Sequence, residues 1–244
     1  MKEKIRLDKY LSDYTELTRS QAKKAIRDGR VRLDGETTGK AETKVSSDAA
    51  VFLDGREIKG ETYQYIMFHK PAGIVSATAD KKETTVVEIV RASAGERFLA
   101  KDLFPVGRLD KDTEGLLLLT NDGETAHRLL SPAHHVPKKY YVVLDEELGG
   151  EDAWKIETGL DIGEKNCTKP ARLERISPKE YFLTITEGKF HQVKRMFAAV
   201  SRHVVYLKRV EMAGLALDET LAKGEWRFLT QEEISCLKRN DKRH

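Results

Sequence analysis

The order of apolar and polar positions is different in the first quarter of the chain and in the remainder. In the first quarter Leu7, Leu11 and Tyr14 recur at helical spacing, and Thr18 can cap a second helix that closes at Asp28-Gly29. Two short strands are predicted after it, each ending in an Asp-Gly turn, at Val31–Leu33 and Ala50–Leu53. The pattern predicts a compact α/β module of two helices and a small sheet.

Beyond a predicted linker at Lys59–Glu61, short apolar runs of strand length alternate with fewer helical segments. Strands are predicted at Tyr63–Phe68, Gly115–Thr120, Tyr140–Leu144, Tyr181–Thr186 and Val204–Val210, helices at Glu124–Leu130 and His191–Val200, and a loop at His69–Gly73. This mixture predicts an α+β fold with a mostly antiparallel sheet. We therefore expect two domains, residues 1–60 and 61–244.

Composition narrows the class of protein. A chain of 244 residues can bury a full core without disulfides, and its two cysteines, Cys167 and Cys236, lack the spacing of a metal site. The amino terminus is polar, and no apolar run reaches the ~18 residues of a membrane span. We expect a soluble cytoplasmic protein with reduced thiols.

Charge is unevenly distributed along the chain. Residues 1–60 carry 14 Lys and Arg against 11 Asp and Glu, and so hold the whole net charge of +3. A second basic tract, residues 188–210, contains six Lys or Arg and two His but no carboxylate. The two tracts suggest a polyanionic partner, although two ordinary solvated faces would also account for them.

A glycine-bounded acidic loop, Gly107–Gly115, leads into the apolar run Leu116–Leu119 and is the main candidate for chemistry. Its acids Asp110, Asp112 and Glu114 alternate and could share one face to bind a divalent cation, as in a metal nuclease. Asp110 and Glu114 could also serve a glycosidase-like hydrolase. The glycines do not match a Walker or dinucleotide fingerprint, and a surface turn capped by its acids is the plain alternative.

The first quarter resembles the S4 RNA-binding domain. The similarity lies in Arg6–Leu11, Thr18–Ala22 and Gly29–Val31. It implies that a helix pair binds structured RNA with its basic face, for which the candidates are Arg19, Lys23, Lys24 and Arg27. A helix-turn-helix that binds DNA is the alternative.

Four further segments occur in a fixed order and resemble the RsuA-type pseudouridine synthases that modify small-subunit ribosomal RNA. They are Phe68–Gly73, Gly107–Asp110 with the Thr113, Gly115 and leucine run that follow, Lys138–Tyr140 and Glu187–Phe197. The resemblance covers nearly the whole chain and implies an enzyme, an isomerase with a pseudouridine synthase fold.

The resemblance also implies roles for three residues. Asp110 would be the nucleophile, attacking the target uridine at the ribose C1′ or at the uracil ring. Tyr140 would stack on the extruded uracil and help to remove the C5 proton, while its neighbour Tyr141 points to the other face. Lys194 would pair with Asp110, although many synthases have an arginine there, and lysine lacks the bidentate fork.

The implied partner is 16S rRNA or a small-subunit assembly intermediate, with uridine 516 of the usual rRNA numbering as target. Phe190-His191 favours this branch over enzymes of the large subunit. The expected enzyme is a monomer that needs no cofactor and no metal. Arg108 is expected to contact RNA, and residues of the last motif to bind phosphate or pack the floor of the site: Lys189, His191, Gln192 and Arg195. A 23S rRNA synthase and a non-catalytic RNA-binding or ribosome-assembly protein are the alternatives.

Overall fold

The structure, a computed structural model, describes residues 5–15, 17–46, 49–58, 63–94 and 102–239. The chain forms two units, Met1–Thr62 and Tyr63–His244, each considered by itself. The predicted linker at Lys59–Glu61 lies outside the described residues.

The described residues of the smaller unit form two helices and two small sheets. Its elements are β1 (Ile5–Arg6), α1 (Leu7–Tyr14), α2 (Arg19–Arg27), β2 (Val31–Leu33), β3 (Glu36–Thr37), β4 (Lys44–Val45), β5 (Val51–Leu53) and β6 (Arg56–Ile58). β1 pairs with β4, and the other sheet has the order β3-β2-β5-β6. Thr18 and Gln21 form a reciprocal capping box at the start of α2, which confirms the predicted N-cap.

The larger unit is built on one sheet. Its elements are β7 (Tyr65–Lys70), α3 (Val86–Ala94), β8 (Phe104–Pro105), β9 (Glu114–Thr120), α4 (Gly123–Leu130), a 3₁₀ turn (Pro132–His134), β10 (Lys138–Leu144), α5 (Gly150–Thr158), β11 (Arg172–Arg175), β12 (Glu180–Ile185), α6 (Gln192–Ala198), β13 (Val204–Met212), β14 (Leu215–Ala216), β15 (Trp226–Phe228) and α7 (Gln231–Arg239). The main strand order is β11-β12-β10-β13-β9-β7-β15, with β14 beside β13 and β8 beside β9.

Most neighbouring strands are antiparallel, as the sequence predicts, and the sheet separates two apolar layers. Alternate leucines of β9 belong to different layers: Leu117 and Leu119 pack in one, Leu116 and Leu118 in the other. A strand buried on both faces reads as a continuous apolar run, which is why these leucines are consecutive.

The loop predicted at His69–Gly73 is wrong in its first two residues. β7 continues through His69 and Lys70, which pair with Leu116 and Gly115 of β9. Both polar residues are buried. Pairing with a distant strand has overridden the local signal of a polar pair before Pro71.

The central seam of the sheet is a parallel contact between β9 and β13. Gly115 lies opposite Arg209 there and has a φ of +104°. A Cβ at this position would lie 2.2 Å from the Arg209 carbonyl oxygen, so no other residue fits without separating the strands.

Candidate active site

The acidic loop, the Lys138–Tyr140 segment and the last motif border one cavity of about 490 Å³. Among its lining residues are Asp110, Tyr140 and Lys194, the three residues to which the resemblance assigns chemistry. Lys138 and Arg209 also line it.

The backbone of the acidic loop is held by a buried lysine at the end of β7. Lys70 Nζ donates to four carbonyl oxygens, those of Pro71 at 3.0 Å, Asp110 at 3.0 Å, Lys111 at 3.2 Å and Thr113 at 2.9 Å. Lys70 is fully buried, and this burial lowers its pKa to about 8. One ammonium group thus fixes the turn that carries the Asp110 carboxylate.

A serine fixes the residue that precedes Asp110. The Ser76 hydroxyl donates to the Leu109 carbonyl at 2.9 Å and accepts from the Leu109 N–H at 3.0 Å. Leu109 itself is buried in the core. The backbone is therefore restrained on both sides of Asp110, which limits the positions that its side chain can reach.

Two basic side chains of the last motif approach the Asp110 carboxylate. Lys194 Nζ lies 3.3 Å from Oδ2 and His191 Nε2 lies 3.6 Å from Oδ1, while the Asp110 side chain remains 26% exposed. Lys194 also donates to Asp112 Oδ1 at 2.5 Å, and this bond holds the pKa of the Asp112 carboxyl below its usual range. Lys194 thus bridges two carboxylates and leaves Asp110 accessible from the cavity.

Tyr140 and Tyr141 lie on opposite faces of β10, as predicted. Tyr140 is buried between Leu183 and Arg209 of the neighbouring strands and lines the cavity. Tyr141 donates its hydroxyl proton to Glu180 at 2.6 Å on the other face.

The wall that carries Tyr140 also contains two buried cations. Lys138 Nζ donates to the Val136 carbonyl at 2.9 Å, and burial together with the nearby Arg209 charge lowers its pKa to about 8. Arg209 Nε donates to the Leu116 carbonyl, whereas its Nη2 finds no acceptor among the described residues. This wall is therefore electropositive. Arg209 cannot be recognised as part of the site from sequence alone, because its convergence with Tyr140 depends on strand pairing.

The three alternating acids do not converge. Glu114 accepts a 2.6 Å hydrogen bond from the Tyr206 hydroxyl and pairs with Lys223, while Asp110 and Asp112 share Lys194. Within the described parts of the chain, no group of three or more His, Cys, Asp or Glu side chains is arranged to hold a metal ion. This geometry supports neither the metal hypothesis nor a carboxylate pair of Asp110 with Glu114.

The last motif is held by hydrogen bonds within it and to residues 164–167. Lys189 Nζ donates to the carbonyls of Asn166 and Cys167, and Gln192 is buried with its amide bonded to Glu187 and to the Lys189 N–H. Gln192 is therefore held in place where it lines the cavity. Arg195 pairs with Glu164 and donates to the Phe190 carbonyl. Arg108 is exposed and lines the cavity.

Phe190 has a feature that the sequence analysis missed. Its side chain is 72% exposed, yet its ring stacks on the His191 ring with centroids 3.7 Å apart and planes 20° apart. A large aromatic ring between basic residues was the available signal. The stack lies beside Asp110, because His191 contacts both.

In the smaller unit the predicted basic face is organised around one buried aspartate. Asp8 is fully buried and accepts two hydrogen bonds of 3.1 Å from Arg6, with Arg19 at 3.5 Å and Lys23 at 3.9 Å. The two other predicted RNA-binding residues, Lys24 and Arg27, are exposed on α2. Cations thus cluster on this helix pair.

Comparison with known proteins decides the family. A model of the RNA pseudouridylate synthase family matches residues 64–199, and a model of the S4 domain matches residues 5–51. The chain belongs to the RNA pseudouridine synthase family. The resemblance stated from the sequence is therefore confirmed, including the S4 domain.

Curated relatives extend the similarity to nearly the full length of this pseudouridine synthase. It is 42% identical over 235 residues to "Ribosomal small subunit pseudouridine synthase A" of Escherichia coli, covering 96% of this chain and 100% of that protein. An RNA pseudouridine synthase of Bacillus subtilis, described as uncharacterized, is 44% identical over 238 residues, covering 96% and 98%. A crystal structure of a pseudouridylate synthase is similar with a TM-score of 0.67 and 40% identity, covering 96% and 99%.

Membership establishes the class of activity. The pseudouridine synthase is an isomerase that acts on RNA and carries an S4 RNA-binding domain. No helix within the described ranges is long and apolar enough to cross a bilayer.

Proposed function

We propose that this pseudouridine synthase isomerises one uridine of 16S rRNA, uridine 516 in the usual numbering, with Asp110 as nucleophile. The observation that carries the proposal is the Asp110 carboxylate, which is accessible in a cavity of about 490 Å³ and approached by Lys194. The choice of 16S rRNA rests on similarity to the Escherichia coli enzyme, whose name refers to the ribosomal small subunit.

In the route through the ribose, a carboxylate oxygen of Asp110 forms a bond to C1′ while the C1′–N1 bond breaks. The bonding electron pair leaves with the uracil, which becomes an anion. After the base rotates, C5 bonds to C1′ and the Asp110 oxygen departs with its electron pair. The C5 proton is then removed and N1 gains a proton. Attack on the uracil ring remains the alternative route.

The cavity wall suits the charge that develops in this sequence. The detached uracil carries a negative charge, and the buried Lys138 and Arg209 make the wall beside Tyr140 electropositive. The ring of Tyr140 can stack on the base while its hydroxyl helps in transfer of the C5 proton. Lys194, whose Nζ lies 3.3 Å from Oδ2, orients the Asp110 carboxylate.

The target uridine lies in folded RNA and must be turned out of its stack, at a cost of a few kcal/mol. Basic residues of the S4 domain and of the last motif would offset this cost by binding phosphates. We propose that the enzyme works as a cytoplasmic monomer on 16S rRNA or a small-subunit assembly intermediate, and that the chemistry requires no cofactor.

The test maps pseudouridines in rRNA from cells with and without this protein, and then assays the purified enzyme on rRNA fragments. We expect one 16S site to be lost from the deficient cells, and to be restored by the wild type but not by Asp110→Asn. Restoration by Asp110→Asn would refute the assigned nucleophile. Loss of a 23S site would refute the target alone, and an unchanged map would favour a non-catalytic role.

A further inference from the structure

A second cavity, of about 270 Å³, lies beside the catalytic one and shares His191 and Lys194 with it. Arg195, Arg202 and His203 complete its polar lining, and small apolar side chains of α6 and β13 form the rest. No carboxylate is among the residues that line it. We call this space the basic pocket.

The three permanent cations of the basic pocket differ in how far their charges are neutralised. Lys194 is paired with Asp110 and Asp112, and Arg195 is paired with Glu164. Arg202 has no carboxylate partner within the described ranges; its bonds go to the backbone carbonyls of Glu147 and Ser201. Its positive charge is therefore the least compensated of the three.

The bonds of Arg202 also orient its guanidinium. Nε donates to the Glu147 carbonyl at 2.9 Å and Nη1 to the Ser201 carbonyl at 3.0 Å. Nη2 forms no hydrogen bond with the described residues. A guanidinium anchored by neutral acceptors, with a nitrogen left over, is preorganised to bind an oxyanion.

We propose that the basic pocket binds a backbone phosphodiester of the RNA substrate, next to the nucleotide that enters the catalytic cavity, with Arg202 as its principal ligand. The inference rests on the proposed function and names a binding site for that same substrate. A phosphodiester fits because the pocket is cationic, lacks carboxylates and shares a wall with the catalytic cavity. Residues that hold both Asp110 and this phosphate would set the register of the strand at the site of reaction.

The first experiment measures binding of a 16S rRNA fragment to the inactive Asp110→Asn enzyme, with and without Arg202→Gln. Gln removes the charge but keeps a donor for the neighbouring carbonyls. We expect affinity at low salt to fall about five- to tenfold, and the slope of log affinity against log salt to decrease by about 0.7–1. Arg202→Lys should keep most of the slope.

The matched control is Arg172→Ala, which removes an exposed arginine of β11 that pairs with Glu174. It should leave both affinity and slope nearly unchanged. A slope unaffected by Arg202→Gln, or reduced equally by Arg172→Ala, would overturn the proposal. Thermal melting of each variant checks folding, and Arg202→Lys provides a charged variant if the Gln variant unfolds.

The second experiment replaces single phosphates near the target uridine with neutral methylphosphonates. One replacement should weaken binding as much as Arg202→Gln does, and should add little when combined with it. Additive effects at every phosphate tested would refute the contact.

These readouts separate the two proposals. If the wild type modifies no 16S uridine, the proposed target is refuted. The basic pocket is then still tested on whichever RNA the enzyme modifies, by whether the effects of Arg202→Gln and of a methylphosphonate replacement are non-additive. Millimolar inorganic phosphate provides a further check. If it displaces the RNA equally well with and without Arg202→Gln, the anion binds at an unrelated site, and this result would also count against the proposal.

Discussion

Asp8 and Asp110 are both aspartates with basic side chains nearby, but their environments differ in a way that separates a structural carboxylate from the proposed nucleophile. Asp8 is fully buried and both of its oxygens accept hydrogen bonds of 3.1 Å from Arg6. Asp110 is 26% exposed, with Lys194 at 3.3 Å and His191 at 3.6 Å from its carboxylate oxygens. Each oxygen of the first carboxylate accepts a hydrogen bond away from solvent, whereas the second carboxylate belongs to a residue that lines the cavity.

The comparison shows that nearby positive charge alone does not identify a nucleophile. A carboxylate that is fully buried, as that of Asp8 is, cannot reach an electrophilic carbon of a substrate. Lys70 and Ser76 hold the backbone at and beside Asp110. The side chain is thereby positioned without hydrogen bonds from Lys70 or Ser76 to its carboxylate oxygens.

The largest contrast should come from Asp110→Asn. We expect kcat to fall by at least about 10⁴-fold, because an amide cannot replace the nucleophile. The free energy of unfolding should change by no more than about 0.5 kcal/mol, since Lys194 keeps Asp112 as a partner. Single-turnover assays and urea denaturation measure the two effects. A large loss of stability would indicate that Asp110, like Asp8, has a structural role.

Next in size is Lys70→Met, which tests whether Asp110 is positioned through its backbone. Removal of the ammonium group leaves four carbonyls without this donor, and a displacement of ~1 Å can reduce a rate about 100-fold. We expect kcat to fall by about that factor with little change in KM.

A matched control is available in the same loop. Lys111 is 52% exposed on its side chain and pairs with Glu83, so Lys111→Met should alter kcat less than about twofold. Equal effects of the two substitutions would contradict a specific role for Lys70. Melting temperatures identify any variant that is simply unfolded.

Asp8→Asn should reverse the pattern expected for Asp110→Asn, with a loss of stability in place of a loss of kcat. Loss of charged hydrogen bonds from Arg6 should destabilise the smaller unit by about 2 kcal/mol. Hydrogen exchange of α1 and α2 in the full-length protein measures this change, with exchange of β9 and β10 as the internal control. Unchanged protection of the two helices would disprove the structural role.

The same contact predicts a dependence on pH. The Arg6 hydrogen bonds hold the pKa of Asp8 below its ordinary 3.8. The stabilisation is therefore fully present above pH 3.8 and is lost as pH falls through the lower, folded-state pKa. Protection of α1 in the wild type should fall in that acidic window, and the Asp8→Asn protein should lack this contribution.

The smallest effect is expected from Asp112→Asn. Asp112 is 74% exposed and competes with Asp110 for Lys194. Its removal should change kcat less than about threefold, because Lys194 can then pair with Asp110 alone. A loss as large as that of Asp110→Asn would show that the sequence assigned the wrong aspartate.

The elements predicted correctly from sequence are those with a strong local signal. The helix that follows the Thr18 N-cap and the leucine run of β9 are examples. α3 was not predicted, because Val86, Val87 and Val90 are β-branched and typical of strands. There, reciprocal hydrogen bonds between Thr85 and Glu88 favour the helix start.

The candidate site was predictable only as far as its motifs were recognisable. Asp110, Tyr140 and Lys194 were named from a resemblance, and all three line one cavity; their roles stay predictions. Lys70 was assigned to a loop, since its burial depends on carbonyls that follow it by about forty residues. The basic pocket likewise forms only where α6 and β13 meet, and no local sequence pattern reveals that contact.

The contact between Gly115 and Arg209 has a consequence for the order in which this enzyme is made. It joins the end of the acidic loop to a strand that the ribosome synthesises much later. Until residues 204–212 have emerged, β9 lacks one of its two principal neighbours in the sheet, and such long-range pairing forms late. A nascent chain that lacks these residues should therefore not yet modify the RNA that surrounds it during translation.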